Sequence, residues 1–299
     1  MRGGLILVTG GASSSPGFKT LARLRELGYD VLGGVYNQHP VDGSVRWDLT
    51  NPTGLLDQYK PSAVVHMAAM GDVDGCEDDV ESCYRVNAVA TRDVARWCLR
   101  AGGARLFYLS TDYVFRGDRG GLYGEADAPR PINYYGLTKL LGEESVLAVD
   151  GVVVRVAWIY GFGPGRQNFG RTVVEKLSRG EEVKAIVDQW GGSPTLNTLI
   201  AEMITKLLPI NYSGVLHAAG PRLSRYEFAL AIAKAFNFPT ELVKPISISQ
   251  LSFKAPPRPR DSSLDSSRAV KILGIPVNDI NYTLAIFKKE WESFKYASH

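Results

Sequence analysis

Tyr135 and Lys139 stand four residues apart in INYYGLTKLLGEE, a segment with helical patterning, so both side chains fall on one helix face. A free tyrosine phenol titrates near ~10, too high to exchange protons readily at neutral pH. A nearby ammonium stabilises the phenolate and lowers that value. Tyr135 can then act as general acid toward a carbonyl oxygen or as base toward an alcohol. Lys139 can at the same time hold ribose hydroxyls of a nicotinamide nucleotide, and the Thr111 hydroxyl can stabilise charge developing on the reacting oxygen. The Tyr–Lys pair alone is weak, because a chain with 14 tyrosines has about an even chance of holding one such pair. Its position is more informative. It follows the strand-like LFYLS and the segment STDYVFRG by a spacing that brings all three to the carboxyl end of a sheet, where open α/β sheets bind ligands.

The elements that must hold these groups are legible as apolar runs: LILVT (5–9), DVLGGVY (30–36), SVRW (44–47), SAVVHM (62–67), ARLFYLS (104–110) and VVVRVAW (152–158). Nearly continuous apolar runs are expected of parallel strands buried on both faces. Helical patterns alternate with them, over 17–27 with Gly28 as stop, from Asn51 with Pro52 in the first turn, and over 79–101 and 132–149. This alternation predicts an α/β fold, a doubly wound parallel sheet (Rossmann). Beyond residue 160, glycine- and proline-rich loops (GFGPGRQNFG, DQWGGSPT, KAPPRPRDSS) separate helices at 168–179, 197–208, 224–236 and 279–294, and GVLHAA (214–219) is a further strand run. Residues 1–160 are therefore expected to form the dinucleotide-binding domain, completed by about 195–220. Residues 161–299 are expected to form mainly a smaller, interleaved substrate-binding lobe.

Between the first strand run and the first helix lies VTGGASSSPG. A dinucleotide fingerprint spaces glycines so that backbone can approach pyrophosphate at a helix N-terminus. Read from Gly11, the spacing gives Gly11, Ser14 and Gly17, with serine in place of the middle glycine. The second strand run ends in VYNQH, without the acidic residue that would bind an unphosphorylated ribose and without an arginine for a 2′-phosphate. This favours NADP over NAD. Asn37 on that segment, with Asp48 and Leu49 after the third strand run, completes the expected cofactor contacts.

Composition excludes several classes. The net charge of +3 is small and scattered, which argues against nucleic acid or an anionic membrane as partner. Three cysteines without a CxxC pair indicate neither a disulfide framework nor a zinc site, and His39, His66, His217 and His299 lack ligand-like spacing. No apolar stretch spans a bilayer, and no signal peptide precedes the first strand run. A cytoplasmic protein is the expectation.

The chain resembles the extended short-chain dehydrogenases/reductases, and within them it is most similar to the dTDP-4-dehydrorhamnose reductases. The resemblance runs through VHMAAMGDVDGCE (65–77), VNA (86–88), LSTDYVFRG (109–117), P-x-N-x-YGLTK (131–139), RVAWIYG (155–161), NF (168–169), DQWGGSPT (188–195) and RPRDSSLD (258–265). It implies that Thr111, Tyr135 and Lys139 are the catalytic triad, that Ala68 and Ala69 line the cofactor, and that Val73, Asp112, Trp158 and Asn168 lie near the sugar. It also implies that Arg258 reaches the diphosphate of a nucleotide-sugar substrate. Asp261 departs from the family's usual asparagine and puts a carboxylate near an expected anion site.

The activity implied is NAD(P)H-dependent reduction of the C4 ketone of a nucleotide-linked 4-keto-6-deoxyhexose, as in dTDP-rhamnose synthesis; a homodimer is compatible with it, and the sequence leaves the oligomeric state open. The chain also resembles the beta subunit of methionine adenosyltransferase, which binds a dinucleotide and acts through a partner. Trp158 and the DQ-x-G-x-PT loop fit the reductases better. A dehydratase or epimerase fits less well, since Tyr113 rather than glutamate follows Asp112.

Overall fold

A computed structural model describes residues 4–11, 14–35, 44–190, 194–250 and 257–297. The first half contains β1 (Ile6–Thr9), α1 (Ser15–Glu26), β2 (Val31–Val35), β3 (Ser44–Arg46), α2 (Thr53–Tyr59), β4 (Ala63–His66), α3 (Val73–Asp78), α4 (Val80–Tyr84), α5 (Ala90–Arg100), β5 (Arg105–Thr111), α6 (Tyr134–Leu147) and β6 (Val152–Val156). The second contains β7 (Ile159–Tyr160), α7 (Phe169–Ser178), β8 (Val183–Ile186), β9 (Thr195–Leu196), α8 (Asn197–Leu207), β10 (Gly214–His217), α9 (Arg225–Phe236), β11 (Val243–Ile246), α10 (Ser267–Leu273) and α11 (Ile280–Ala297).

Seven strands form one sheet in the order β10-β6-β5-β4-β1-β2-β3, and every pairing in it is parallel. Chain order reverses between β1 and β4, whose register is Ile6↔Ala63, and this is the switch point where the carboxyl ends of strands leave a crevice. The strands are apolar on both faces because both are covered. Ile6, Val8, Val65 and Phe107 meet Leu21 and Leu24 of α1 and Ile200 and Met203 of α8. Leu7, Val64, Leu106 and Tyr108 point the other way, onto Leu56 of α2, Val94 and Trp97 of α5 and Val146 of α6. The period-two alternation of side chains assigns neighbours such as Ile6 and Leu7 to opposite cores.

The strand at 214–217 pairs with β6 (Val215↔Val153) at the edge of this sheet, and α8 packs against α1. The remaining elements build two small parallel ladders, β8 with β11 and β7 with β9, fixed by α7, α9 and α11. Aromatic rings knit this lobe: Tyr160 meets Phe228 at 4.9 Å and Phe287 at 5.1 Å, and Phe162 stacks on Phe287 at 5.0 Å.

Three local expectations change. The first helix starts at Ser15, not Gly17, because Ser14 is its N-cap and Pro16 fits the first turn. Pro52 precedes α2 rather than lying inside it. The helix expected over 79–101 is interrupted: α4 gives way to a π-helical turn over Arg85–Val89 before α5 resumes. Cysteine counting also missed a bond, since Cys76 and Cys83 form a disulfide across the break between α3 and α4, which leaves Cys98 buried and free. An odd cysteine count does not forbid one local bridge once a turn brings two residues seven apart into contact.

Candidate active site

The cleft of about 380 Å³ lies at the carboxyl end of the sheet. One wall is the start of α1 (Ser14, Ser15, Pro16), the floor is the end of β5 with Tyr135 and Lys139 from α6, and the far wall is the loop from Trp158 to Asn168. A helix N-terminus directed into such a cleft is a ready site for a diphosphate.

The turn before α1 is a close backbone crossing. Gly10 has φ +68°, the left-handed conformation that glycine adopts without strain. A Cβ on Gly17 would lie 2.3 Å from the Gly10 carbonyl oxygen, so only glycine permits that approach. Between them, Ser14 donates from Oγ to the Gly10 carbonyl (3.0 Å) and accepts from the Gly17 amide (3.4 Å). Its hydroxyl caps the helix, a role the sequence spacing alone did not reveal.

Beside this turn the chain leaving β4 is fixed by a buried polar relay. Thr9 Oγ1 accepts from the amides of Met67 (2.9 Å) and Ala68 (2.8 Å), so it donates to His66 Nδ1 (2.9 Å). The other imidazole nitrogen then carries the proton toward Thr91 Oγ1 (3.1 Å), which donates to the Asn87 carbonyl (2.7 Å). Burial, aided by the Lys139 charge, lowers His66 to about 3, so it stays neutral. Asn87, in the π-helical turn, accepts from the Met70 amide and donates to the Met70 carbonyl and Thr138 of α6. This relay ties the Ala68–Ala69 segment to the catalytic helix. Ala69 lines the cleft, and Ala68 lies against Gly10.

Helix α6 begins where its free amides are satisfied: Gly136 N–H donates to Asn133 Oδ1 (2.8 Å) and Tyr134 N–H to Glu77 Oε1 (2.8 Å). That start aims half-buried Tyr135 and buried Lys139 into the cleft. Lys139 Nζ donates to the Leu109 carbonyl (2.8 Å) and lies 4.0 Å from the centre of the Tyr108 ring. Burial lowers its pKa to about 7, against the favourable charge of Glu143 one turn on. Glu143 is itself held by Arg155 (2.9 and 2.7 Å) and Ser110 (2.5 Å).

The expected depression of the Tyr135 pKa by Lys139 does not occur in this arrangement. Burial raises that phenol well above its ordinary value, a hydrogen bond with Thr111 opposes the shift, and the Asp112 charge adds to it. The phenol therefore keeps its proton, the state a general acid requires. Thr111 ends β5, accepts from the Tyr113 amide (3.2 Å) and donates to Asp112 Oδ1 (3.1 Å). Asp112 is buried, accepts from Ser262 (2.5 Å), and is raised to about 7 by burial against the pull of Ser262, Thr111 and the Arg225 charge.

Trp158 lines the cleft at φ +35°, its ring 4.3 Å from the Arg225 guanidinium carbon. Asn168 also lines it, yet both ends of its amide are engaged, capping α7 at Arg171 N–H (3.0 Å) and donating to the Gly161 carbonyl (2.8 Å). Val73, the first residue of α3, is half-buried and absent from the cleft lining. Asp48 folds back on Thr50 (2.8 Å), and neither it nor Leu49 lines the cleft. Gly11 is buried against β2, where a Cβ would lie 3.0 Å from Gly33 Cα. Asn37 lies outside the described residues.

Arg258 lies in a second hollow with Arg116, Trp190, Arg222, Arg260 and Asp261. Three of the sequence motifs meet there: Trp190 bridges Asp261, and the Asp261 amide donates to Gly117 O (3.0 Å). The Asp261 carboxylate, expected to oppose an anion, is instead paired with Arg222 (2.8 Å) and accepts a hydrogen bond from the Ser263 hydroxyl. Arg258 pairs with Asp74 (2.7 Å) and with Tyr113. Sequence reasoning missed Arg225, whose only signal was its place in the capping box SRYE that starts α9.

Residues 4–292 match the RmlD substrate binding domain family. A dTDP-4-dehydrorhamnose reductase of Mycobacterium tuberculosis is 35% identical over 90% of this chain and 87% of its own. The methionine adenosyltransferase 2 subunit beta of Danio rerio is 31% identical over 96% of this chain and 90% of its own. Among solved structures, dTDP-4-dehydrorhamnose reductase from Bacillus anthracis in complex with NADP superposes with a TM-score of 0.83 at 29% identity, covering 97% of this chain and 100% of that one.

Proposed function

The chain belongs to the RmlD substrate binding domain family, and from that membership we propose that it is an NAD(P)-dependent oxidoreductase of the extended short-chain type. Its reaction is reduction of the C4 ketone of a nucleotide-linked 4-keto-6-deoxyhexose, as in dTDP-4-dehydrorhamnose reductases. The observation that carries this reading is the convergence of Thr111, Tyr135 and Lys139 on one cleft opposite the N-terminus of α1.

The residues present fit a dinucleotide. The Gly10–Gly17 crossing leaves backbone open to a pyrophosphate, Ser15 in the first turn of α1 lines the cleft, Ala69 is small enough for close approach, and Lys139 supplies a cation for ribose hydroxyls. The nicotinamide, when bound, supplies a hydride to C4. NADP is the preferred form, as in the Bacillus anthracis complex. Tyr135 gives its proton to the C4 oxygen, and the Thr111 hydroxyl, turned from Asp112 to the substrate, donates a hydrogen bond to the same oxygen as negative charge builds there. Asp112 and the Trp158 indole orient the hexose. Asn168 borders it, and Arg258 reaches toward the diphosphate. Residues 1–160, with about 195–220, serve as the dinucleotide-binding part, and the rest of 161–299 as the substrate lobe.

Exposed Tyr84 of α4 and Tyr134 and Leu137 of α6 lie on adjoining helices, which supports a homodimer. No described helix is long and apolar enough to cross a membrane, and we assign the protein to the cytoplasm. The test is consumption of NADPH or NADH with 4-keto-6-deoxy sugar nucleotides. No turnover, together with stable capture of a methionine adenosyltransferase, would favour the regulatory role of the Danio rerio relative.

A further inference from the structure

The cleft with Thr111 and Asp112 and the hollow with Arg258 are separate, but one segment of chain runs between them. Pro257, Arg258, Arg260 and Asp261 face the hollow. Ser262, the next residue, is fully buried, and its hydroxyl donates to Asp112 Oδ2 at 2.5 Å. The other oxygen of that carboxylate accepts from Thr111 at 3.1 Å. A buried carboxylate is costly unless its oxygens are hydrogen-bonded, so these two hydroxyls fix where Asp112 stands. Asp112 in turn fixes the direction of the Thr111 hydrogen, while the Tyr113 amide holds the threonine oxygen (3.2 Å). The segment also touches the catalytic helix at its other end. Asn133 donates from Nδ2 to the Pro257 carbonyl (3.1 Å), and its Oδ1 accepts the Gly136 amide at the start of α6 (2.8 Å). Between these points Gln189 Nε2 donates to the Pro259 carbonyl (3.2 Å) and the Trp190 amide to the Arg260 carbonyl (2.8 Å). A Cβ on Gly117 would lie 2.5 Å from Pro259 Cβ, so the segment is seated there without slack. Whatever grips it in the hollow therefore also steadies the carboxylate beside Thr111 and the cap of the helix that carries Tyr135.

We infer that Ser262 is a positioning residue, which sets the Thr111 hydroxyl through Asp112 and passes to it the grip that the nucleotide end of the substrate exerts on residues 257–261. This rests on the reductase reading, in which the hollow with Arg258 takes that end, and it adds a residue that lines neither cavity. In the resting protein the Thr111 hydrogen points to Asp112, and it must turn to the substrate to stabilise charge building on the C4 oxygen. Ser262 already donates to the same carboxylate. A carboxylate whose charge is shared by one donor holds a second less tightly, so Ser262 lowers the cost of that turn. Binding energy from the non-reacting end of a substrate raises kcat only when it bears on the reacting centre. Asp261 and Ser262 are neighbours in the chain, so one peptide bond joins the hollow to the hydrogen-bond pair that holds Thr111.

The test compares steady-state reduction of a 4-keto-6-deoxy sugar nucleotide with that of the matching 4-keto-6-deoxyhexose 1-phosphate, which lacks the nucleotide end, in wild type, Ser262→Ala and Ser262→Thr. Wild type turns over the full substrate with a kcat roughly tenfold or more above that for the 1-phosphate. Ser262→Ala loses roughly tenfold to a hundredfold in kcat on the full substrate, the scale of a misplaced catalytic group, with KM unchanged. On the 1-phosphate the same variant loses roughly threefold at most, so the two substrates become nearly alike. Ser262→Thr keeps the donor and recovers most of the loss. Titration with NADP⁺ checks that the variants fold, and Ser262→Cys, nearly isosteric and a weak donor, replaces Ser262→Ala if that protein does not. A loss of equal size on both substrates, a raised KM at constant kcat, or no loss overturns the inference and leaves the reductase reading intact. Equal kcat for the two substrates in wild type overturns it as well, without any variant. A wild type inert toward both substrates overturns the reductase reading and the inference with it.

Discussion

Glu143 lies one helical turn beyond Lys139 on α6, and the carboxylate that favours the Lys139 charge is held in place by Arg155 at 2.9 and 2.7 Å. Lys139 is buried and its pKa is lowered to about 7, so its charge is poised near neutrality. The carboxylate keeps the value from falling further, while Ser110 and Arg155 keep the carboxylate from turning toward the lysine. Glu143→Gln removes that support. In a profile of kcat/KM for the reduced cofactor against pH, activity that needs the ammonium declines as pH rises through about 7 in the wild type. In the variant the decline moves to lower pH. An unmoved limb would show that Glu143 acts only in packing. Because Arg155 loses its partner in the buried pair, the variant is also expected to lose about 3–5 kcal/mol of stability in urea unfolding.

The glycine crossing gives a contrast between two small substitutions. Gly17→Ala places a methyl 2.3 Å from the Gly10 carbonyl oxygen, so the turn must open, and NADP⁺ affinity is expected to fall at least tenfold. Ser14→Ala removes only a helix cap and costs about 1 kcal/mol in thermal unfolding. Equal effects of the two on cofactor titration would contradict the roles assigned to them.

Three buried groups set an acid dependence of stability. His66 and His217 are lowered to about 3, each by burial first and then by a neighbouring cation. Their folded pKa values lie below the unfolded ones, so the stability they contribute is full above about pH 6.5 and drains as pH falls toward 3. Asp112 works in the opposite direction. Its folded value of about 7 lies above the unfolded one, so in the same window the folded state holds the extra proton. Two protons favour unfolding and one opposes it. Stability between pH 6 and 4.5 should therefore fall by about 1.4 kcal/mol per pH unit, and Asp112→Asn should steepen this to about 2.7 kcal/mol per pH unit. Urea midpoints across that range measure both slopes, and identical slopes would remove Asp112 from the balance.

The disulfide between Cys76 and Cys83 closes a short loop that carries Glu77, whose carboxylate receives the first amide of α6. A loop of this length is worth about 2 kcal/mol through the unfolded chain. Unfolding with and without dithiothreitol should differ by that amount, and alkylation of the unfolded, unreduced protein should label Cys98 alone.

The strands and the Tyr135–Lys139 face were legible because burial on both sides of a parallel sheet leaves continuous apolar runs, and a four-residue spacing has one meaning on a helix. The strand–turn–helix setting of VTGGASSSPG was legible from its flanking patterns, whereas the cap at Ser14 and the left-handed Gly10 depend on backbone geometry that a glycine spacing does not carry. The π-helical turn at Arg85–Val89 and the Cys76–Cys83 bond were not legible, because no apolar periodicity announces either. Arg225 was invisible for a related reason. Its neighbours Trp158 and Phe169 lie more than fifty residues away, and the positive φ of Trp158 aims the indole at it.

The central claim is that Tyr135 delivers the proton for ketone reduction. The direct measurement is turnover of wild type and Tyr135→Phe, followed by the loss of reduced-nicotinamide absorbance with NADPH and NADH against a 4-keto-6-deoxy sugar nucleotide, alongside titration of each protein with NADP⁺. The expected result is turnover in the wild type, a loss on the order of a hundredfold to ten-thousandfold in the variant, and unchanged NADP⁺ affinity. A variant as active as the wild type would contradict the role given to Tyr135. A wild type inert with every keto-sugar nucleotide and both cofactors would contradict the reductase itself.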